Sequence, residues 1–265
     1  MTATMILKIV RYVLLDVMRN RWVLGYAVFF FALTDVLLRL GGSGPRALLS
    51  LLNVVVLLIP LVTIVFGTIY WHGAREFNEL LLSQPVERST LFHGLFAGLV
   101  LPLSAAFMVG VSIPLALHQA IDRDTAPLLG MMLVAGVALT AVFGALAVLI
   151  GGLVDDRLKG LGIALGVWVL LTVAYDGLVL WVAMAYQDYP IEGAMLALTF
   201  ANPVDLARVL LIMRFDVSAL MGYTGAVVQR LLGGSLGALA AAGGLMVWTI
   251  VPGLFALRAF RRRDF

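Results

Sequence analysis

Asp176 is the residue with the most chemistry to explain. It is the one charged residue between Gly160 and Gln187, in the run Val173-Ala174-Tyr175-Asp176-Gly177-Leu178-Val179. If that run crosses a membrane, a carboxylate within it costs about 3 kcal/mol and must face protein or water, not lipid. It then acts as a gate, a substrate contact or a tie between helices, or it is a structural aspartate that is protonated or hydrogen-bonded. Proton coupling wants a partner group, and the sequence sets no second buried carboxylate or lysine beside it. Asp35 and Arg39 stand four residues apart with the acid first, the order that favours a local ion pair on a helix.

Metal and covalent chemistry find little support. His72, His93 and His118 are far apart, with no H-x-x-H or H-x-x-x-H pair, so no imidazole metal site is expected within one chain. Met184, Met195, Met213 and Met221 fall in or beside one long segment. Thioethers hold Cu(I), but no M-x-M or M-x-x-M cluster occurs there, and methionine as an apolar gap-filler is the better reading. The absence of cysteine excludes thiolate zinc, iron–sulfur ligation and thiol catalysis. Gly41-Gly42-Ser43-Gly44 matches the Gly-x-Ser-Gly nucleophile motif of rhomboid proteases, yet it lies in the first outer loop while His93, the histidine within a later expected span, falls near the cytoplasmic side, and a Ser without a base is not activated. A flexible turn accounts for it. There is no G-x-x-x-x-G-K-[ST], so ATP hydrolysis, if it drives this protein, belongs to another chain. No catalytic residue and no metal ligand is expected, and no cofactor in this chain.

The elements that position these residues follow from composition. Of 265 residues, 62% are hydrophobic and 12% charged, against about 25% charged in soluble domains. A soluble fold of this size cannot hide that much apolar surface, and disorder needs the opposite balance. Runs of about 20 apolar residues mark membrane helices. Six are expected, at about 22–40, 48–70, 91–117, 127–154, 160–186 and 234–257, in a single transmembrane domain over 1–265. A β-barrel would show short alternating segments instead, and no small-residue cleavage site precedes the first span. The fold class is an all-α membrane protein.

Six spans place both termini on one side, and positive charge chooses the side. With the termini inside, the inner segments hold twelve basic residues: Lys8, Arg11, Arg19, Arg21, Arg75, Arg88, Arg157, Lys159, Arg258, Arg261, Arg262 and Arg263. The outer segments hold six: Arg39, Arg46, Arg123, Arg208, Arg214 and Arg230. Both termini are expected in the cytoplasm, with Arg261 to Arg263 as a headgroup anchor. The net charge of +3 then reflects topology, and no nucleic-acid partner is implied.

Three extramembrane pieces stand out. Residues 3–20 place Ile6, Ile9, Val10, Val13 and Val17 opposite Lys8, Arg11, Asp16 and Arg19, an amphipathic helix lying in the interface. The loop between spans two and three can form a short helix over 74–82, stopped by Pro85, with Ser89 or Thr90 as cap of the next span. Between spans five and six, Asn202-Pro203 with Asp205 in the first turn starts one helix and Asp216 a second over 217–232. Both remain apolar, so this segment dips into the outer interface as a re-entrant loop. Gly94–Gly98, Gly162–Gly166 and Gly233–Gly237 match G-x-x-x-G and indicate close helix packing. No internal repeat supports the inverted-repeat architecture of many secondary transporters.

The stretch Glu79-Leu-Leu-Leu-Ser-Gln-Pro-Val-Glu-Arg88 resembles the cytoplasmic loop signature of ABC-2 type permeases. Asn202-Pro-Val-Asp-Leu-Ala-Arg208 and Tyr175-Asp176-Gly177-Leu178 resemble the Nos-type branch, the permeases of the copper-processing system that matures nitrous oxide reductase. The resemblance implies a homodimer in the bacterial inner membrane, binding two separate ATPase subunits that carry ATP and Mg. It implies that the leading amphipathic helix and the helix at 74–82 form the ATPase docking surface. Glu76, Glu79, Gln84 and Arg88 would be contacts there, and Pro85 would fix the coupling turn. It implies a periplasmic β-helix protein seated on the loop that holds Asn202, Pro203, Asp205, Arg208, Met213 and Met221. The role implied is a mechanical relay of ATP hydrolysis to copper or sulfur handling outside. An ABC-2 exporter of a lipid, glycan or drug is the alternative within transport. An intramembrane enzyme and a passive membrane anchor are the alternatives outside it.

Overall fold

A computed structural model describes residues 21–41, 43–74, 87–186, 192–215 and 234–262. The amphipathic segment 3–20, the loop helix at 74–82 with Glu76, Glu79, Gln84 and Pro85, the segment 217–232, Met221 and the side chain of Met213 lie outside the described residues. The described part is helical, with six helices long and apolar enough to cross a membrane. They are α1 (Arg21–Gly41), α2 (Gly44–Gly73), α3 (Arg88–Leu117), α4 (Thr125–Leu153), α5 (Arg157–Ala185) and, last in the chain, α8 (Gly234–Arg262). Among the described residues, two short helices stand between α5 and α8, α6 (Glu192–Phe200) and α7 (Pro203–Phe215). Their axes bend by 108° between Gly193–Phe200 and Pro203–Ile212, the geometry of a re-entrant hairpin.

The helices pair out of chain order. α1 packs chiefly on α3 and α2 on α4, while α4 also carries α8 and α7. Because α1 and α3 run the same way, Phe30 meets Phe107 edge to face at 5.1 Å. A Cβ on Gly110 would come within 2.8 Å of the Ala27 carbonyl and of Phe30 Cβ, so glycine lets these two backbones touch, as membrane helices without a hydrophobic driving force require. Phe30, Phe107, Phe143, Leu139 and Met132 are fully buried in the resulting core. The G-x-x-x-G matches behave differently from one another. Gly94 and Gly98 are buried in α3, whereas a Cβ at Gly162 or Gly166 would meet no atom of the described residues within 4 Å, and Gly233 of the third match lies outside the described residues.

Polar ties close both ends. At the Arg21 end, Trp71, Phe92 and Phe260 cluster from α2, α3 and α8, with ring centroids at 5.6 to 6.2 Å. Arg88 Nη1 there donates to the Arg261 carbonyl at 2.8 Å. α3 starts at Arg88 without a side-chain cap, so Ser89 and Thr90 lie within its first turn and not ahead of it. At the Gly41 end, Asp35 binds Arg39 Nε at 2.7 Å and His118 Nε2 at 2.8 Å. The spacing of Asp35 and Arg39 carries the first contact, while the second joins α1 to the end of α3 across 83 residues.

Candidate functional site

The hairpin tip places polar side chains within the apolar body of the molecule. Asn202 is fully buried. Its Oδ1 accepts from the Val204 amide at 2.9 Å, capping α7, and Pro203 at the first helical position has no amide to satisfy. Its Nδ2 donates to the Leu171 carbonyl at 2.8 Å. That carbonyl lies midway along α5, inside a π turn at Leu170–Ala174. A π turn widens the helix and disturbs the i→i−4 ladder, and such turns concentrate at functional sites. Here one backbone oxygen of the wide turn receives a side-chain donor from the hairpin.

The end of α6 is satisfied in the same way. Helix C-termini leave carbonyls without partners, and in hydrocarbon these must be paired within the protein. Tyr175 Oη donates to the Leu198 carbonyl at 2.7 Å, and Trp248 Nε1 to the Phe200 carbonyl at 3.1 Å. Leu171 and Trp248 are both near the middle of their helices, so the hairpin reaches about halfway along the bundle. Leu206 presses against α8 at Gly244, where a Cβ would come within 2.7 Å of Leu206 Cδ1.

One turn into α7, Arg208 meets two carboxylates. Its Nη1 and Nη2 reach Asp176 Oδ1 and Oδ2 at 3.1 and 3.0 Å, a bidentate pair. The same Nη1 reaches Asp205 Oδ1 at 3.1 Å. The Asp205 side chain is 6% exposed, Arg208 33% and Asp176 43%. Asp176 therefore has both a cationic partner and a neighbouring buried carboxylate, contrary to the expectation from sequence that no such group stands beside it. Arg208 is also not a free charge of an outer loop, because it sits in the hairpin against α5. The missed signal was complementarity. An arginine within an apolar helix and an aspartate within an apolar span each need a partner, and these are two such groups in adjacent segments.

The remaining sequence candidates are placed separately. Arg88 lies at the Arg21 end, and Asp35 with Arg39 at the opposite end. His72 faces the Thr68 and Val154 carbonyls at 2.8 and 3.0 Å, and His93 the Ser89 carbonyl at 2.6 Å. Met195 is buried in α6, and Met184 is exposed on α5. A groove of about 620 Å³ opens between α3, α4, α7 and α8, lined among others by Met108, Val134, Val137, Leu210, Met246 and Ile250.

Six long apolar helices among the described residues, with a sharply bent helix pair between the last two, define a multi-pass membrane protein. The chain belongs to the ABC-2 family of transporter proteins, whose family description matches residues 47–265. Two relatives are both described as "Probable ABC transporter permease protein NosY". The one from Stutzerimonas stutzeri is 28% identical over 274 residues, covering 96% of this chain and 97% of the relative. The one from Pseudomonas aeruginosa is 27% identical over 230 residues, covering 81% and 84%. The chain is thus a NosY-like permease subunit of an ABC transporter, and membership of this family implies partnership with ATPase subunits.

Proposed function

We propose that this permease relays ATP hydrolysis in the cytoplasm to a periplasmic partner that handles copper or sulfur in nitrous oxide reductase maturation. It does so as a homodimer with two ATPase subunits that bind ATP and Mg, and its termini face the cytoplasm of a bacterial cell. The observation that carries this reading is the hairpin clamped to α5 by Arg208 and Asp176. A rigid link between a span and the re-entrant segment passes movement of the helices to whatever rests on the Gly41 end. Three further facts support it. Similarity to NosY proteins extends over nearly the whole length. Basic residues favour the Arg21 end in the cytoplasm, twelve against six, or twelve against five with Arg208 paired inside the hairpin. The chain has no cysteine and its histidines are dispersed, a poor ligand set for carrying copper itself. The half-exposed Asp176–Arg208 pair cannot face lipid, which suits a flank covered by a second copy or by water.

On this reading, Glu76, Glu79, Gln84, Pro85 and Arg88 form the ATPase contact. Asn202, Pro203, Asp205, Arg208, Met213 and Met221 belong to the segment beneath the periplasmic partner. The test is purification of the chain from its native membrane in mild detergent with identification of its companions. A P-loop ATPase together with a periplasmic repeat protein is expected. An ATPase without a periplasmic protein would replace the relay by export. No ATPase would overturn the reading. The charge reversals Glu79→Lys and Arg88→Glu together are expected to abolish ATPase association, and an intact complex would remove these residues from the docking surface. The second reading, export of a lipid, glycan or drug, is favoured by the apolar groove of about 620 Å³ among α3, α4, α7 and α8.

A further inference from the structure

We propose that Asp176, Arg208 and Asp205 form a one-proton site, with Asp176 ionised and Asp205 holding the proton. The inference stands on the geometry of the triad and is independent of the ATPase and the periplasmic partner.

Two carboxylates share one guanidinium, and the two Oδ1 atoms contact the same Nη1 at 3.1 Å each. With every group ionised the triad carries one net negative charge inside an apolar bundle. Two carboxylates in one poorly solvated site do not both ionise readily. Among the described residues no other cation restores the balance. The helices packed on α7 bring none, since Asp, Glu, Lys and Arg are absent from 125–153 in α4, from 234–257 in α8, from 47–73 in α2 and from 193–200 in α6, whose one charged residue, Glu192, is an acid at its far end. From α5 come Asp176 itself and Tyr175, whose hydroxyl is donated to the Leu198 carbonyl. Asn202 bonds the Leu171 carbonyl and the Val204 amide, and its side chain also reaches the Asp205 carboxyl, but as a neutral group that adds no compensating charge. Arg214, the other cation on α7, is nine residues beyond Asp205, about 13 Å along the helix.

Geometry then assigns the proton. Arg208 gives two hydrogen bonds to Asp176 and one to Asp205. The bidentate partner gains most from being ionised. Asp205 is the more deeply buried carboxyl, at 6% exposure against 43%, and gains most from being neutral. The exposed side of Asp176 gives the proton its route to water. When the proton leaves, an uncompensated charge sits between α5 and the hairpin, and their contact loosens. The sign follows directly. The folded chain holds a proton that an unfolded aspartate releases, so the stabilisation is complete at low pH and is lost as pH rises through the titration of the site.

The experiment uses the full-length chain in phospholipid nanodiscs. Infrared spectra at neutral pH are expected to show a protonated-carboxyl carbonyl band that is absent from Asp205→Asn and displaced in Asp205→Glu. The thermal midpoint of the wild type is expected to fall as pH rises from about 5 to about 9. Asp205→Asn is expected to flatten that dependence while staying as stable as wild type at neutral pH. Asp176→Asn is expected to lose stability at every pH. A wild-type spectrum with no such band, or a band that survives unchanged in both Asp205 variants, overturns the proposal. So does a midpoint in Asp205→Asn that drops as far as in Asp176→Asn.

Discussion

Asn202 holds the turn of the hairpin through both ends of its amide. Both its donor and its acceptor are used while the side chain is wholly out of solvent. Asn202→Ala leaves the Leu171 carbonyl without its side-chain donor and uncaps α7, so a loss of about 2 kcal/mol is expected, read as a lower thermal midpoint in nanodiscs. Arg208→Gln acts differently, because it strands Asp176 on the flank of a span. That pair is a third or more exposed, which reduces the effect of its removal from the range of fully buried pairs to about 2 kcal/mol. Adding Asp176→Asn to Arg208→Gln is expected to recover part of the loss, since the stranded charge goes with its partner. A double-mutant cycle with no coupling would show that the pair does not join α5 to the hairpin.

At the scale of the elements, two aspartates cap helices at opposite ends of the bundle. Asp156 Oδ1 accepts from the Lys159 amide at 2.9 Å at the start of α5, and Asp122 Oδ1 from the Thr125 amide at 2.7 Å at the start of α4. The Lys159 amide is the main reason the Asp156 carboxyl titrates below its ordinary value, and the Thr125 amide does the same for Asp122. Depressed carboxyls stabilise above their unfolded pKa and lose that contribution as pH falls through the folded one. Asp156→Asn and Asp122→Asn are therefore expected to be less stable than wild type at neutral pH, with the difference vanishing in acid, as followed by thermal melts across pH. Gly110→Ala puts a methyl between α1 and α3, and overpacking of about 1–3 kcal/mol is expected in the same melts. The six long helices were legible because hydropathy over about 20 residues is a local signal. The start of α7 was legible because Asn-Pro with Asp in the first turn is a local motif. The π turn at Leu170–Ala174, the bond from His118 to Asp35 and the meeting of Asp176 with Arg208 were not, because each depends on which helices touch.

The molecule as a whole is two faces of one apolar bundle, and its orientation is directly testable because the chain contains no cysteine of its own. Single cysteines replacing Asp124 and Arg262 put a unique thiol at each end. A membrane-impermeant maleimide applied to intact spheroplasts is expected to label Asp124→Cys and spare Arg262→Cys. The reverse pattern would turn the protein over and place the hairpin opening in the cytoplasm. The out-of-order pairing of the helices carries a consequence for how such a chain is made. A ribosome delivers α1 and α2 together, yet α1 packs chiefly on α3 and α2 on α4. The first hairpin thus enters the lipid with its main partners still unsynthesised, and Asp35 waits for His118, 83 residues downstream. Arg39, one helical turn away, is the companion that arrives with it and shields its charge during that interval. The local ion pair needs no other helix to form, and the finished bundle adds His118 to it.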